Sequence, residues 1–480
     1  MKAAAPLFLT RRQAGIGRRI LVTLGVVAAV RLLYFIPLPG VSLEAVATIF
    51  SRYLSVQPRG LFDIAALLHV GMLRNCCLFS LGIFPYLQAC VLGQLIVYVM
   101  PGGASRARFA GDCRQRRTIV LFLTVALSLV QGAMAARLLA HVSHVSGVNL
   151  VFFPAGFFDA AAALSLTAGV LVQLALAGII QRFGIGHGAA IIFGSEIFIR
   201  LVIALDQVSI AVAQAALPWR AAVVFALILL TFVLLARAVT KFSVPVTLCT
   251  AAQKSFAVCL RPEWAGVWPV LAAEFLAGFF QPASLPRYLA TVSVLVAALT
   301  VFYAKIMFGT RHVCEQVLTY RGHSPRRERG PREQAFNRAV RIVLGVSLPF
   351  LVIVYFLPLL VMQKLQVPAL AAGLLGPFGL LMLIGVWLDA RGQLMFYRKI
   401  SRSAEPVWQC VLAGPAAFEA ELAVQVLQEQ GLAPCLKSAH FHWGLPWNSD
   451  CSYEVFVPQF QAPAASAALA ELRRQRCAAE

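Results

Sequence analysis

The sequence predicts an all-α polytopic membrane protein that carries a small α+β domain at its C-terminal end. Of its 480 residues, 60% are hydrophobic and 13% are charged, whereas a typical soluble protein has about 25% charged residues. The hydrophobic residues form long runs, and most basic residues lie between those runs. After about residue 406 the long runs end and shorter strand-like and helix-like patterns begin.

Charge and cysteine content narrow the class further. The chain has 41 Lys and Arg against 20 Asp and Glu, a formal charge of +21. Basic islands between apolar runs are typical of cytoplasmic loops of membrane proteins, and no recognised nucleic-acid motif supports the alternative of DNA binding. The 11 cysteines are scattered without a CxxC pair, which predicts free thiols. We expect no cleaved signal peptide, because the first apolar run lacks a small-residue cleavage site.

Ten apolar runs are candidates for membrane-spanning helices, since a helix needs about 20 apolar residues to cross the hydrocarbon layer. Pro, Gly or charged residues bound each run. The ten predicted spans are 20–36, 78–99, 118–139, 158–180, 188–204, 221–239, 265–280, 288–308, 340–361 and 369–388.

Basic residues in the connections predict the orientation of these spans. With ten spans, 21 Lys and Arg lie outside the spans on one side and 6 on the other. Positive residues favour the cytoplasmic side, so both termini are expected in the cytoplasm.

The tail is predicted to be a separate unit. Alternating and helical patterns indicate strands at 407–412, 433–436 and 453–458 and helices at 416–430 and 463–474. The predicted domains are a cytoplasmic segment (1–19), a ten-helix membrane domain (20–395), a linker (396–406) and a small α+β domain (407–480). The tail resembles, faintly, a ferredoxin-like module.

Three motifs occur in order and in register with the spans. They are RLLYFIPLPG at residues 31–40, FSLGIFPYLQACVLGQL at 79–95 and GIGHG at 184–188. Each alone is weak: the first is a chain reversal, Pro85 in the second is an ordinary kink, and the third weakly resembles a phosphate loop. Together they resemble the SecY family, the channel subunits of the bacterial protein-secretion translocase, and its archaeal and eukaryotic counterparts. The resemblance covers about residues 15–395.

The resemblance implies a fold, a function and partners. It implies two halves of five helices around an hourglass channel that moves unfolded preproteins across the bacterial cytoplasmic membrane and releases hydrophobic segments into it. It implies no enzymatic activity and no cofactor, and the absence of a Walker motif means that energy comes from a partner. The expected partners are SecE-like and SecG-like small membrane subunits, the SecA motor ATPase, the ribosome, preproteins and anionic phospholipids.

The family closes its channel with a waist of aliphatic side chains and a plug segment. By position, the waist residues are Ile83, Leu87, Phe193, Leu271 and Met382, with Ile192 as an alternative to Phe193. Core or lipid-facing packing is the alternative for the last three. The plug is expected within residues 61–75, with Leu61, Phe62, Ile64, Leu67, Leu68, Gly71 and Leu73, for which an interfacial amphipathic turn is the alternative.

The family also has a lateral exit seam and basic docking loops. The seam matches Gln94 in the second span and, on the seventh, Glu263 or Trp264. Basic residues expected to dock the ribosome or SecA are Lys241, Lys254, Arg261, Arg327, Arg329 and Arg332. The loop after the sixth span is shorter and less basic than the family's usual hairpin, which puts partner affinity in question.

Two other functions are compatible with parts of the sequence. A secondary transporter would use intramembrane ionisable groups: Glu196, Arg200, Glu274 and Lys305. For Glu196 and Arg200 the spacing also predicts a simple ion pair within one helix. A zinc site in the tail would use Cys435, His440, His442 and Cys451, a loose spacing that occurs by chance, so no metal site is predicted.

Overall fold

The computed structural model describes residues 8–10, 15–42, 44–46, 76–99, 113–214, 218–242, 244–249, 255–260, 269, 273, 285–308, 329–364, 377–403, 405–414, 417–438 and 453–477. Within these residues nine long helices precede the tail. They are α1 (Ile16–Leu33), α2 (Phe84–Val99), α3 (Cys113–Ser146), α4 (Ala155–Phe183), α5 (Gly188–Ala213), α6 (Trp219–Lys241), α7 (Leu285–Phe308), α8 (Arg329–Lys364) and α9 (Pro377–Arg402).

Each of the nine helices overlaps one predicted span. Of the seventh predicted span, 265–280, the structure describes only Pro269 and Ala273, both helical and buried, so the count of ten stays a prediction. By length and composition, three segments among the described residues qualify as membrane-crossing helices: Arg117–His144, Gly156–Phe183 and Gly188–Ile210. A shorter apolar helical segment runs through Ala290–Phe302.

The second predicted span begins later than expected. Residues 78–83 form turns, and the helix begins at Phe84 rather than at residue 78. Gly82 has a φ of +59°, a left-handed conformation that glycine adopts without strain and that ends the preceding turn. Pro85 is the second helical residue, where its missing N–H costs no hydrogen bond, so interpreting it as a kink within the helix was wrong.

Helices α3 and α4 form a close antiparallel pair because small residues line their contact. A Cβ atom at Gly132 would lie 2.9 Å from the Cα of Ala163. Small side chains let membrane helices approach closely and gain van der Waals contact. Phe158 and Leu166 of α4 are buried together with Leu150, which precedes α4, in one apolar cluster that also includes residues of the turn before α2.

Two strands fold back on each other in the loop between α6 and α7. β2 (Val244–Cys249) pairs antiparallel with β3 (Ser255–Leu260), with Val244 opposite Leu260. Strand β2 contacts α8, and β3 contacts a helix of the tail. The loop that the sequence marks as abbreviated is therefore a compact hairpin against the membrane domain and the tail.

The described residues of the tail form three strands and two helices. β4 (Val407–Gly414), α10 (Ala417–Glu429), β5 (Cys435–Ser438), β6 (Tyr453–Pro458) and α11 (Ala462–Cys477) follow one another, with a 3₁₀ turn before α11. The strands β4 and β5 both pair antiparallel with β6. The linker is shorter than expected, because α9 continues to Arg402.

A strand from the N-terminal segment completes this sheet. β1 (Phe8–Thr10) pairs antiparallel with β4, so the strand order is β1-β4-β6-β5. The hydrophobic pattern of residues 1–19 did not predict this strand, because a three-residue strand has no periodicity to detect. Residues 8–10 of the N-terminal segment are therefore part of the tail's sheet.

Both faces of the sheet are covered. Val455 and Val457 point to one face, where they pack with Leu427 of α10 and Leu469 of α11. Phe456 points to the other face and packs with Tyr397 and Ile400 at the end of α9; we call this second group the junction core, and its buried members are Leu9, Phe396, Tyr397, Ile400, Trp408, Cys435 and Phe456. Since the sheet buries apolar side chains against α9, the tail is docked on the last helix of the membrane domain.

Candidate functional site

Helices α2, α5 and α9 bring most of the predicted waist residues together. Ile83 and Phe193 are 0% and 8% exposed, Leu87 and Met382 are 7% and 3% exposed, and all four belong to one apolar cluster. Ile192, the alternative to Phe193, is also buried in it. Leu271 lies outside the described residues. We call this cluster the waist cluster.

Three further helices contribute to the waist cluster, which contains no charged side chain among its described members. Val26 and Val30 come from α1, Val120 from α3, and Ala177 and Ile180 from α4. Apolar constrictions exclude water and thereby block ions. The arrangement can therefore seal a path between the helices, and aliphatic side chains there can change rotamer around a passing chain.

A short loop sits at the end of α5 that leads into the waist cluster. It is the GIGHG segment, residues 184–188, between α4 and α5. His187 caps α5: its Nδ1 accepts a hydrogen bond from the backbone N–H of Ala190 at 3.3 Å. Gly188 has to be glycine, because a Cβ atom there would lie 1.9 Å from the carbonyl oxygen of Ala177.

Side chains of three helices accept hydrogen bonds from consecutive backbone N–H groups of this loop. From α9, Gln393 Oε1 accepts from Gly186 at 2.8 Å and Asp389 Oδ2 accepts from His187 at 2.8 Å. From α1, Thr23 Oγ1 accepts from the N–H of Ile185 at 2.9 Å. From α4, Gln181 Oε1 accepts from the N–H of Gly188 at 3.1 Å. These N–H groups are occupied by protein acceptors, which argues against the phosphate-loop alternative that the sequence analysis already gives little weight. We call residues 184–188 with Asp389 and Gln393 the clasp.

Arg19 connects the clasp to the junction core. Its Nη1 donates to the carbonyl oxygen of Gly184 at 3.0 Å, and its guanidinium lies over the ring of Tyr397, 3.9 Å from the ring centroid. Arg19 is 6% exposed, and a buried guanidinium is tolerated when it is hydrogen-bonded and stacked on an aromatic face. Tyr397 belongs to the junction core, so Arg19 contacts both the clasp and an α9 residue against which the tail packs.

A polar group inside the membrane domain involves Glu196 of α5. The Glu196 carboxylate accepts a hydrogen bond from the hydroxyl of Tyr34, which also accepts from Gln173 Nε2 at 3.3 Å. Next to it, Arg31 donates to Ser195 Oγ at 2.6 Å. Glu196 thus has a partner on another segment. The ion pair with Arg200 stays a prediction, because the side chain of Arg200 is not described.

Helices α2 and α3 share a second polar contact that the sequence analysis missed. Gln131 Nε2 of α3 donates to Gln88 Oε1 of α2. Amides inside apolar helices usually have a partner on a neighbouring helix, so the two glutamines within predicted spans are a signal that could have indicated this pair. A Cβ atom at Gly93 would lie 3.3 Å from Cγ2 of Val120, which shows that α2 and α3 also pack closely farther along.

The other predicted site residues lie outside what the structure describes. This holds for the plug residues Leu61, Phe62, Ile64, Leu67, Leu68, Gly71 and Leu73, for Glu263 and Trp264, and for Lys254, Arg261 and Arg327. Gln94, Lys241, Arg329 and Arg332 are placed on helices, but their side chains are not described. Within the described residues there is no cluster of His, Cys, Asp or Glu suited to a metal ion.

Comparisons with known proteins agree on one family. The SecY family model matches residues 77–390. The protein translocase subunit SecY of Thermus thermophilus is 27% identical over 418 residues, which cover 78% of this chain and 91% of that protein. The SecY subunit of Thermotoga maritima is 25% identical over 415 residues, with coverage of 78% and 91%.

Solved structures show the same fold. The structure of a protein conducting channel matches with a TM-score of 0.50 and 13% identity, covering 81% of this chain and 94% of that one. A structure concerned with the plug domain of the SecY protein matches with a TM-score of 0.51, 12% identity and the same coverage. At this identity the similarity establishes the architecture of the chain.

Proposed function

The chain belongs to the SecY family, and from this membership we propose that it is the central channel subunit of a protein translocase, through which unfolded preproteins cross the cytoplasmic membrane and hydrophobic segments leave into the bilayer. The relatives named above are translocase subunits that this chain matches over 91% of their length. It is a channel subunit and not an enzyme.

The waist cluster is the observation that carries this proposal. A polypeptide in transit exposes backbone groups and charges that are costly in hydrocarbon, so the path must be aqueous. The same path must exclude ions when no chain occupies it. Ile83, in the turn just before α2, meets Leu87 of α2, Phe193 of α5 and Met382 of α9 in one dry cluster, which is the arrangement such a seal requires. Leu271 is proposed as the fifth member.

The lateral exit is proposed to lie between α2 and the predicted seventh span. Gln94 would face Glu263 or Trp264 across this seam. The close packing of α2 on α3 at Gly93 and the amide pair of Gln88 with Gln131 support these two helices as one wall of the seam, which would then move as a unit. The plug is proposed within residues 61–75, between α1 and α2.

Both termini are proposed to lie in the cytoplasm. Strand β1 precedes α1 and strand β4 follows α9, and the two strands share one sheet. Sharing a sheet supports placing both ends of the membrane domain on one side, and therefore an even number of spans. The excess of basic residues on that side favours the cytoplasm. On the same reasoning, the tail is a cytoplasmic domain.

The partners follow from the proposed function. We propose that SecE-like and SecG-like small subunits accompany the channel, and that SecA or the ribosome supplies the energy at the basic loops that contain Lys241, Lys254, Arg261, Arg327, Arg329 and Arg332. Anionic phospholipids are proposed to contact the same basic side. The compact β2–β3 hairpin carries three of these residues at or beside its ends, so it is the first place to test docking.

The secondary-transporter alternative lacks support. None of the relatives or solved structures named above is a solute transporter, and Glu196 is engaged by Tyr34 next to the waist cluster. A solute site would need an accessible ionisable group, and Glu196 is 8% exposed.

Reconstitution tests the proposed function. The full-length protein would be placed in liposomes with a SecE-like subunit, together with SecA, ATP and a radiolabelled preprotein, and preprotein protected from added protease would be measured. We expect ATP-dependent protection that disappears without the chain. Folded protein that gives no protection with either SecA or translating ribosomes would contradict the proposal, and uptake of a small solute without a motor would support the transporter.

A further inference from the structure

The clasp joins two helices that each carry a waist residue, α5 with Phe193 and α9 with Met382. His187 is the N-cap of α5, and Phe193 follows six residues later on that helix. On α9, Asp389 follows Met382 by seven residues, which is about two helical turns and returns to nearly the same face. Each clasp group therefore lies about 10 Å along its own helix from its waist residue.

The same two helices are also in close contact near the waist. A Cβ atom at Gly194 of α5 would lie 3.0 Å from Cγ2 of Val386 on α9. A sliding or rotation of α9 would consequently move Val386 against the α5 backbone. Hydrogen bonds at one end and this contact farther along fix the register of the two helices.

We propose that Asp389 and Gln393 are positioning residues of the channel waist, which hold α5 and α9 in the register that sets Phe193 opposite Met382. This inference rests on the proposed function, because it assigns the two side chains a task in sealing the channel. Their direct targets are the backbone N–H groups of His187 and Gly186.

Burial explains why the side chains of Asp389 and Gln393 can hold the register of α5 and α9. Asp389 is 1% exposed, Gln393 is 3% exposed and His187 is 8% exposed, so their hydrogen bonds have no competition from bulk water. Removing an acceptor leaves a backbone N–H buried without a partner, which costs more than the net gain of a typical hydrogen bond. The hydrogen bonds of the clasp therefore stabilise the present register of α5 against α9 and do not stabilise other registers.

The hydrogen bonding of Asp389 allows its positioning role to be tested separately from its negative charge. Its Oδ2 accepts from His187, while Oδ1 is buried and has no hydrogen-bond partner among the described residues. Asparagine has the same shape and keeps one carbonyl oxygen for the His187 N–H. Asp389→Asn should therefore preserve the clasp, whereas Asp389→Ala should break it.

The test is a crosslink across the waist in the full-length protein. Cysteines would replace Phe193 and Met382 in a background without native cysteines, and a short bifunctional maleimide would join them in the monodisperse purified protein. We expect Asp389→Ala and, separately, Gln393→Ala to lower the crosslink yield about fivefold, and Asp389→Asn to stay within about twofold of the parent. Asp206→Ala, which removes an exposed carboxylate from the far part of α5, is the matched control.

Resting ion conductance in planar bilayers gives the second measurement, made with the native residues at 193 and 382. It should rise in the two alanine variants and stay low in Asp389→Asn and Asp206→Ala. Unchanged crosslinking in both alanine variants would overturn the proposal, and so would equal loss in Asp389→Asn and Asp389→Ala. A failure of the proposed function is recognised by a different variant, Ile83→Ser with Leu87→Ser. If the waist does not seal a channel, this double variant leaves the conductance unchanged, whatever the clasp variants do.

Discussion

Leu9, near the start of the chain, lies directly opposite Trp408 in the antiparallel pair of β1 and β4, and the two side chains are 8% and 4% exposed. The tail itself supplies β4, α10, β5, β6 and α11. A ferredoxin-like unit has one more strand, at the edge beside the first, and β1 stands at that edge. The ferredoxin-like interpretation of the tail stays a prediction, and this pairing supplies a fourth strand beside the three that the tail contributes among its described residues.

The first prediction concerns topology. Reporter domains fused after Arg117, near Arg326 and at the C-terminus should all report the cytoplasm, because basic residues concentrate in these loops and β1 shares a sheet with the tail. A fusion near Ser146, at the end of α3, should report the opposite side. Reporter activity and accessibility to an impermeant label are the measurements. Opposite readings at Arg117 and the C-terminus would contradict an even span count.

The second prediction concerns the waist. Ile83→Ser with Leu87→Ser places two hydroxyls in the waist cluster, which wets the constriction, and the resting ion conductance of the empty channel in planar bilayers should rise severalfold. Leu164→Ser is the control, because Leu164 is 64% exposed on α4 and takes no part in the cluster. If the double variant conducts no more than the control, the seal does not involve these residues.

The third prediction concerns the lateral exit. In a background without native cysteines, a cysteine at position 94 should crosslink to one at position 263 or 264, and the crosslink should block translocation of a secretory substrate. Gln94→Leu should change the hydrophobicity that a segment needs to enter the bilayer, with a modest effect, because interhelical hydrogen bonds in membranes contribute less than about 2 kcal/mol. The absence of both crosslinks would mean that the seam lies elsewhere.

The fourth prediction concerns the strand that joins the two ends of the chain. Leu9→Asp puts a charge into the junction core and should cost about 3 kcal/mol of the docking free energy of β1. Hydrogen exchange should then speed up at residues 407–409, the partners of β1. Phe460→Asp in the same domain is the control, since Phe460 is 66% exposed. Equal protection of 407–409 in both variants would show that β1 is dispensable for the sheet.

The fifth prediction uses two thiols as reporters of the junction core. Burial raises the pKa of the Cys410 thiol to about 12 and also raises the pKa of Cys435. The Cys410 thiol therefore stays neutral in the folded protein at pH 8 to 9, where an unfolded cysteine with a pKa of about 8.5 is partly ionised, and the raised pKa of Cys435 makes that thiol less ionised than in the unfolded chain. Iodoacetamide should label them slowly in the native chain and faster after unfolding, as mass spectrometry can measure.

The sign of the pH effect follows from the same shift. Above about pH 8.5 the unfolded state releases thiol protons that the folded state retains, so the free energy of unfolding of the tail should fall as the pH rises. It should be insensitive to these thiols below that pH, where both states keep the protons. Rapid labelling of Cys435 in the native wild-type chain at pH 8 would show that the junction core is open.

Local patterns allowed the sequence to predict several parts of the structure. Each described long helix overlaps an apolar run, because the roughly 20 apolar residues that a membrane-spanning helix requires are consecutive in the sequence. The strand at Tyr453–Pro458 has the predicted bounds because the alternation of apolar and polar residues in a strand is also a local pattern. Ile83, Leu87, Phe193 and Met382 could be named in advance only through the family resemblance, since burial in a waist and burial against lipid give the same apolar pattern.

The sequence by itself determined that the chain is a helical membrane protein with a small α+β tail, because hydropathy and period are local properties. Only the tertiary structure decided which distant groups meet: Leu9 with Trp408, Glu196 with Tyr34, and the backbone of His187 with Asp389, 202 residues away. The physical reason is that a hydrogen bond or a strand pairing constrains two positions without imposing a pattern on the residues between them. A buried Asp, a three-residue strand or a glycine against a backbone carbonyl acquires its meaning from the partner that folding brings beside it.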